Sequence, residues 1–90
     1  MKERAIKLLE RQFKEVSNAK RIKILLLLNE QAGLSVSEIA VKNKSNLKTI
    51  SEHLRRLSIA GIVLKKCSGR CVYHYLTPNG QKIVKIIQSY

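Results

Sequence analysis

The sequence predicts a mainly α-helical chain with one small β-hairpin, in the order α-α-α-α-β-β-α. Three observations carry that expectation. Apolar residues recur at spacings of three and four through the first sixty positions, the signature of helices with one buried face. The apolar period then drops to two over residues 62–76, with a glycine-containing break at Ser68-Gly69-Arg70. Capping residues and glycines stand at the joints between the periodic segments. A chain of 90 residues holds one core of this kind and not two.

The first helix spans residues 2–16, where Ile6, Leu9, Phe13 and Val16 form an apolar stripe among charged residues. Ser17 is the expected cap of a second helix that runs through Ile22, Leu25, Leu26 and Leu28 toward Gln31. Ile24 and Leu27 widen its apolar face, so it is expected at the centre of the fold. Gly33 follows as a stop signal. Ser35 stands three residues before Glu38, a capping box that opens a short third helix with Val36, Ile39 and Ala40 inward. Residues 44–46 form a polar turn, and Asn46 caps a fourth helix from about Leu47 to Ala60. Ile50, Leu54 and Leu57 line its inner face, and Gly61 ends it. Ile62–Cys67 and Cys71–Leu76 read as two strands joined by a three-residue loop, Ser68-Gly69-Arg70. Thr77-Pro78 reads as cap plus first helical residue of a last helix, with Ile83, Ile86, Ile87 and Tyr90 as its inner stripe. No internal repeat, low-complexity tract or linker interrupts this order.

Charge narrows the partners. Lys and Arg number 18 against 6 acids, a net charge of +12, with a sequence pI near 10.2. All six acids are glutamates at or before Glu52, so residues 53–90 carry Arg55, Arg56, Lys65, Lys66, Arg70, Lys82 and Lys85 with nothing to offset them. Such a surface attracts polyanions, nucleic acid first among them and membrane phosphate second. With 44% hydrophobic residues the chain can form a core and is not a disordered basic tail. The longest apolar run, Ile24 to Leu28, is far too short to span a bilayer. The N-terminal MKERAIKLLERQ lacks a signal-peptide core, so the expected location is cytoplasmic and nucleoid-associated. No Ser/His/Asp set, Gly-rich phosphate loop or spaced carboxylate pair appears, so an enzyme is not expected.

A short capped helix, a polar turn, a longer helix with a basic outer side and then a basic hairpin compose a helix-turn-helix followed by a wing. The major groove admits one α-helix, which must bring polar or basic side chains near its N-terminus to base edges. With Ile50 and Leu54 inward, the opposite arc of the fourth helix carries Leu47, Lys48, Ser51, Glu52 and Arg55, with Thr49 at its border. Lys48 can donate to guanine, Glu52 can accept from cytosine N4, and Thr49 can touch a thymine methyl. Arg55 and Arg56 lie further along and are expected at phosphates. In the hairpin, Lys65, Lys66, Ser68, Gly69 and Arg70 supply a second footprint. The candidate DNA-binding set is these residues together with Asn46.

The segments LSVSEIAVKN (34–43), SNLKTISEHLRRLSIAGIV (45–63) and KKCSGRCVYHYLT (65–77) resemble winged-helix regulators of the ArsR type over about residues 16–78. MarR- and PadR-like regulators share the Leu76-Thr77-Pro78-Asn79-Gly80 pattern. The resemblance implies a homodimeric transcriptional regulator, a repressor on a palindromic operator in double-stranded DNA. The helix-turn-helix would occupy 35–60 and the wing 62–76. Residues 1–16 and 78–90 would form dimerisation helices through Ile6, Leu9, Phe13, Ile83, Ile86, Ile87 and Tyr90. Metal-sensing members carry a Cys-rich motif on the helix that here reads SVSEIAVK, or Asp and His on the last helix; neither is present. No metal, cofactor or small-molecule ligand is therefore expected.

Cys67 and Cys71 flank the hairpin loop and are a possible redox pair, with plain free thiols as the other reading. His74 would leave the strand on the face opposite Cys71, which argues against a zinc site. His53 reads as a half-buried packing residue with a local hydrogen bond. Tyr73 and Tyr75 read as residues that pack the wing onto the helices. The alternative role for the same fold is an abundant, weakly specific DNA-coating or architectural protein, favoured by Lys82 and Lys85. A protein-interaction module is a third, disfavoured by the continuous basic reader and wing.

Overall fold

Short-range hydrogen bonds at the caps set most of the element boundaries. The computed structural model describes residues 1–90, with α1 (Glu3–Val16), α2 (Ala19–Glu30), α3 (Val36–Lys42), α4 (Leu47–Ile59), β1 (Val63–Ser68), β2 (Cys71–Leu76) and α5 (Pro78–Gln88). Ser35 Oγ accepts from Glu38 N at 3.2 Å while the Glu38 carboxylate accepts from Ser35 N at 3.0 Å, the reciprocal capping box. These bonds from Ser35 hold the Glu38 carboxyl below the ordinary carboxylate pKa. Asn46 Oδ1 accepts from Thr49 N at 2.8 Å and opens α4. The cap of α2 is Asn18 and not Ser17: Asn18 Oδ1 accepts from Lys20 N and Arg21 N, while Ser17 N donates to Phe13 O and closes α1. Only two residues separate the helices, so each serves one terminus.

The turn between α3 and α4 is a paired C-terminal cap in which Lys44 N donates to Val41 O and Ser45 N to Ala40 O. Lys44 takes the left-handed conformation there, φ 51°, which glycine adopts more easily. The same pair of bonds ends α4 through Gly61, whose φ of 76° carries no such strain. β1 and β2 pair antiparallel from Val63↔Leu76 to Ser68↔Cys71. The expected three-residue loop is therefore two residues, Gly69-Arg70, with Gly69 at φ 60° at the first central position. A single bridge, Leu34↔His74, adds the chain before α3 to the edge of β2.

α2 is the centre of the fold: Ile24, Leu25 and Leu28 are buried with Ile39, Ile50, Leu54, Leu57, Ile62 and Val84 in one cluster. The outer helices divide their apolar residues. In α1, Val16 joins the core while Ile6, Leu9 and Phe13 remain exposed, Phe13 at 54%. In α5, Ile83 and Val84 are buried and Ile87 half-buried, while Ile86 and, just past the helix, Tyr90 are exposed. Ile83 is thus a core residue and not part of a free dimerisation stripe, and the inner face of α5 turns on Val84 rather than on Ile86 and Tyr90.

The Leu-Thr-Pro-Asn-Gly segment has a packing reason. Thr77 Oγ1 accepts from Gly80 N at 3.0 Å and lies within hydrogen-bond reach of the Gly61 and Ile62 carbonyls, at 2.6 and 3.1 Å. A Cβ on Gly80 would fall 2.3 Å from Ile62 O. Only glycine lets the first turn of α5 lie against the root of the wing. No helix is long and apolar enough to cross a membrane.

Candidate nucleic-acid interface

The buried residues of α4 fix which side chains it offers outward. Ile50, Leu54 and Leu57 are sealed in the core, so the helical repeat puts Lys48, Glu52, Arg55 and Ile59 on one exposed arc. Leu47, Ser51 and Arg56 are also exposed, and Thr49 is half-buried at the border. Asn46 spends its side-chain oxygen on the helix cap and positions the first turn.

The charges along this arc are wired together. Glu52 accepts two bonds from Arg55, Nη2 at 2.7 Å and Nε at 3.0 Å, and a third from Arg56 Nε at 3.2 Å. The Arg55 bonds lead in holding the Glu52 carboxyl at a pKa of about 2, and the same pairing raises that of Arg55. Arg56 Nη1 also lies 3.7 Å from Glu15 on α1. Glu15 is held in turn by Arg21 Nη1 at 2.7 Å, and that nitrogen donates to the Glu15 carbonyl as well. Arg21 Nε donates to His53 Nδ1 at 2.9 Å. His53 is therefore half-buried as expected, but its partner lies 32 positions away rather than nearby. Burial, reinforced by the Arg21 charge, lowers its pKa. This hub ties the α1–α2 joint to α4, and it lay beyond sequence reasoning because no spacing rule links residues 15, 21, 53 and 56.

The wing presents Lys65, Lys66, Ser68, Gly69 and Arg70, all exposed. Alternation along the strands sends Lys65 and Lys66 to opposite faces. Lys66 Nζ stands 5.1 Å from the centroid of the Tyr75 ring, so that tyrosine backs a cation as well as packing beside Gly33. Cys67 pairs with Val72 and Cys71 with Ser68. Directly opposed residues share a face, so the two thiols leave opposite faces of the hairpin. The possible redox pair is thereby corrected: Cys67 and Cys71 are free, exposed thiols that cannot join across the strands without a change of register. His74, on the other face from Cys71, is fully buried at the wing's root, with Nδ1 donating to Leu34 O at 2.8 Å. Burial pushes its pKa down. No three metal-ligating side chains gather anywhere. A recess of about 340 Å³ lies between α2, β2 and α5, lined by Leu28, Asn29, Tyr75, Gln81, Lys85 and Gln88 among others.

The model of the bacterial regulatory proteins of the arsR family matches residues 18–65, just over half of the chain, from the start of α2 into β1. The chain belongs to the arsR family. This arsR-family protein is 34% identical over 78 residues to a helix-turn-helix-type transcriptional regulator of Methanocaldococcus jannaschii, covering 86% of this chain and 88% of that protein. It is 36% identical over 64 residues to a homologue of the cadmium resistance transcriptional regulatory protein CadC from Staphylococcus aureus, covering 71% of this chain and 53% of that protein. Its fold superposes with a TM-score of 0.86 on the homodimeric winged helix-turn-helix DNA-binding domain of a possible ArsR-family regulator from Mycobacterium bovis. The two are 26% identical, over 99% of this chain and 85% of that one. The arsR-family chain is accordingly a DNA-binding transcriptional regulator with a winged helix-turn-helix fold.

Proposed function

We propose that the chain acts as a homodimeric, sequence-specific repressor that binds a palindromic operator in double-stranded DNA. The observation that carries this reading is the exposed arc of α4, where Lys48, Ser51, Glu52 and Arg55 stand over a core-locked inner face, within a chain of the arsR family. In this reading α4 enters the major groove, with Lys48 at a guanine edge, Glu52 at a cytosine amino group and Thr49 against a thymine methyl. Arg56 and the wing residues Lys65, Lys66, Ser68, Gly69 and Arg70 hold phosphates and set the register. Residues 1–90 act as one DNA-binding domain, with the helix-turn-helix over 35–60 and the wing over 62–76.

The exposed apolar residues of the outer helices support a dimer. Ile6, Leu9 and Phe13 on α1, with Ile86 on α5 and Tyr90 just beyond it, have no cover within one copy, and the half-buried Ile87 is covered only in part. The homodimeric state of the Mycobacterium bovis domain supports the same assembly. Two reader helices would then enter successive major grooves about 34 Å apart. Selection of bound sequences from random duplex DNA at physiological salt tests the reading. An inverted repeat with half-sites one helical turn apart is the expected result. Recovery of no sequence preference would overturn specificity, and a single half-site would overturn the dimer.

A further inference from the structure

We propose that Glu52 is a specificity-determining residue that acts by occupying the guanidinium of Arg55, so that the reader's arginines are released only to DNA that offers Glu52 a new donor. The inference rests on α4 being the reader helix. The two-point contact from Arg55, at 2.7 and 3.0 Å, is the fork geometry with which arginine grips a phosphate or a guanine edge. Glu52 therefore stands where a DNA oxygen would stand. It also takes a bond from Arg56, which Glu15 draws from the other side. Glu52 is the last acid in the chain and the only one in α4.

On a duplex of unrelated sequence, pulling Arg55 and Arg56 onto phosphates leaves the Glu52 carboxylate facing the groove with its donors withdrawn. The surrounding phosphates repel it. On a matching site, a cytosine N4 amino group replaces the lost donor, since that group projects into the major groove. The cost of the carboxylate thus falls on wrong sequences, and discrimination arises from a repulsive element as much as from an attractive one.

Labelled duplexes separate this from a merely structural pair. Binding to the duplex recovered by selection and to a random duplex is measured by fluorescence anisotropy for the unchanged chain and for Glu52→Gln, across a salt series. Removing one like charge from the interface should tighten random-duplex binding about tenfold. The selected duplex should gain less or lose, so the specificity ratio falls. The salt dependence on random DNA should steepen by about 0.9 in log–log slope, one added phosphate contact. In an Arg55→Ala background, Glu52→Gln should give a smaller gain on random DNA and no steeper salt slope, because only relief of the carboxylate's repulsion remains. Equal gains on both duplexes, or no gain on random DNA, would overturn the proposal. So would a gain in the Arg55→Ala background as large as in the unchanged chain. Absence of binding by the unchanged chain at low salt would instead overturn the reading of α4 itself, before any Glu52 variant is made.

Discussion

In α4 the arginines face carboxylates, whereas in the wing Lys65, Lys66 and Arg70 face none. Arg55 and Arg56 are held by Glu52, and Arg56 is drawn also toward Glu15. No carboxylate lies within ion-pair distance of the wing's cations; Lys66 leans on the Tyr75 ring instead. The difference matches two kinds of DNA contact. A guanidinium already gripped by a carboxylate must be released before it can meet DNA, while a cation without an acidic partner can meet a phosphate directly. The arginines of α4 are oriented by their bonds to Glu52, and the wing is positioned only at its root, by buried Val63 and His74 and by Thr77 against the carbonyls of residues 61 and 62.

Breaking the anchorage of either region should have the largest effects. Leu54→Ala empties a fully buried position under the reader and should cost about 3 kcal/mol in chemical denaturation. Gly80→Ala pushes a Cβ into Ile62 O at the wing's root and should cost about 2 kcal/mol. If Gly80→Ala proved neutral, the close packing of α5 on the wing would be wrong. Surface variants then sharpen the contrast without unfolding the chain. Lys48→Ala should lose about 1–3 kcal/mol of discrimination at one or two base positions, read by competition with single-base variants of the selected duplex. Arg70→Ala should weaken selected and random DNA about equally and reduce the log–log salt slope by about 0.9. Identical behaviour of the two variants would erase the distinction between reader and wing.

Acid tests the wing's root. Burial holds His74 neutral in the folded chain, with a pKa below the free value of 6.5. Above pH 6.5 neither state binds the proton, so His74 makes stability independent of pH there. As pH falls through 6.5 the unfolded chain takes up a proton that the folded chain refuses, and stability drops until the depressed pKa is reached. Melting temperatures between pH 7.5 and 5 should fall, and His74→Gln should flatten that fall. The smallest expected effect is a gain: Lys44→Gly relieves a left-handed residue in the helix-turn-helix turn and should stabilise by about 1 kcal/mol in the same denaturation assay.

Much of the architecture was legible because it is written in contiguous residues. Ser35 with Glu38, Asn46 with Thr49 and Thr77 with Gly80 are contacts three positions apart, and the buried faces of α2 and α4 follow from a repeat inside each segment. The misses share one cause, a dependence on what lies opposite. Ser17 lost the α2 cap to Asn18 because α1 claimed it. A one-residue difference in hairpin register separated Cys67 from Cys71, since a side chain changes face with every step along a strand. Gln12, which no apolar pattern marks, is buried because Ala60 O accepts from its amide at 3.0 Å.

The amino-acid sequence alone settles the element order, the caps at Ser35, Asn46 and Thr77, the inner faces of the central helices and the positive charge concentrated after Glu52, because propensity, periodicity and composition act over a few neighbouring residues. The tertiary structure decides which apolar residues of α1 and α5 enter the core and which stay exposed. It also decides that Arg21 joins Glu15 to His53, and that Arg56 is drawn toward Glu15 on α1. These depend on distances between groups up to tens of residues apart and on side-chain torsions, which no local pattern specifies.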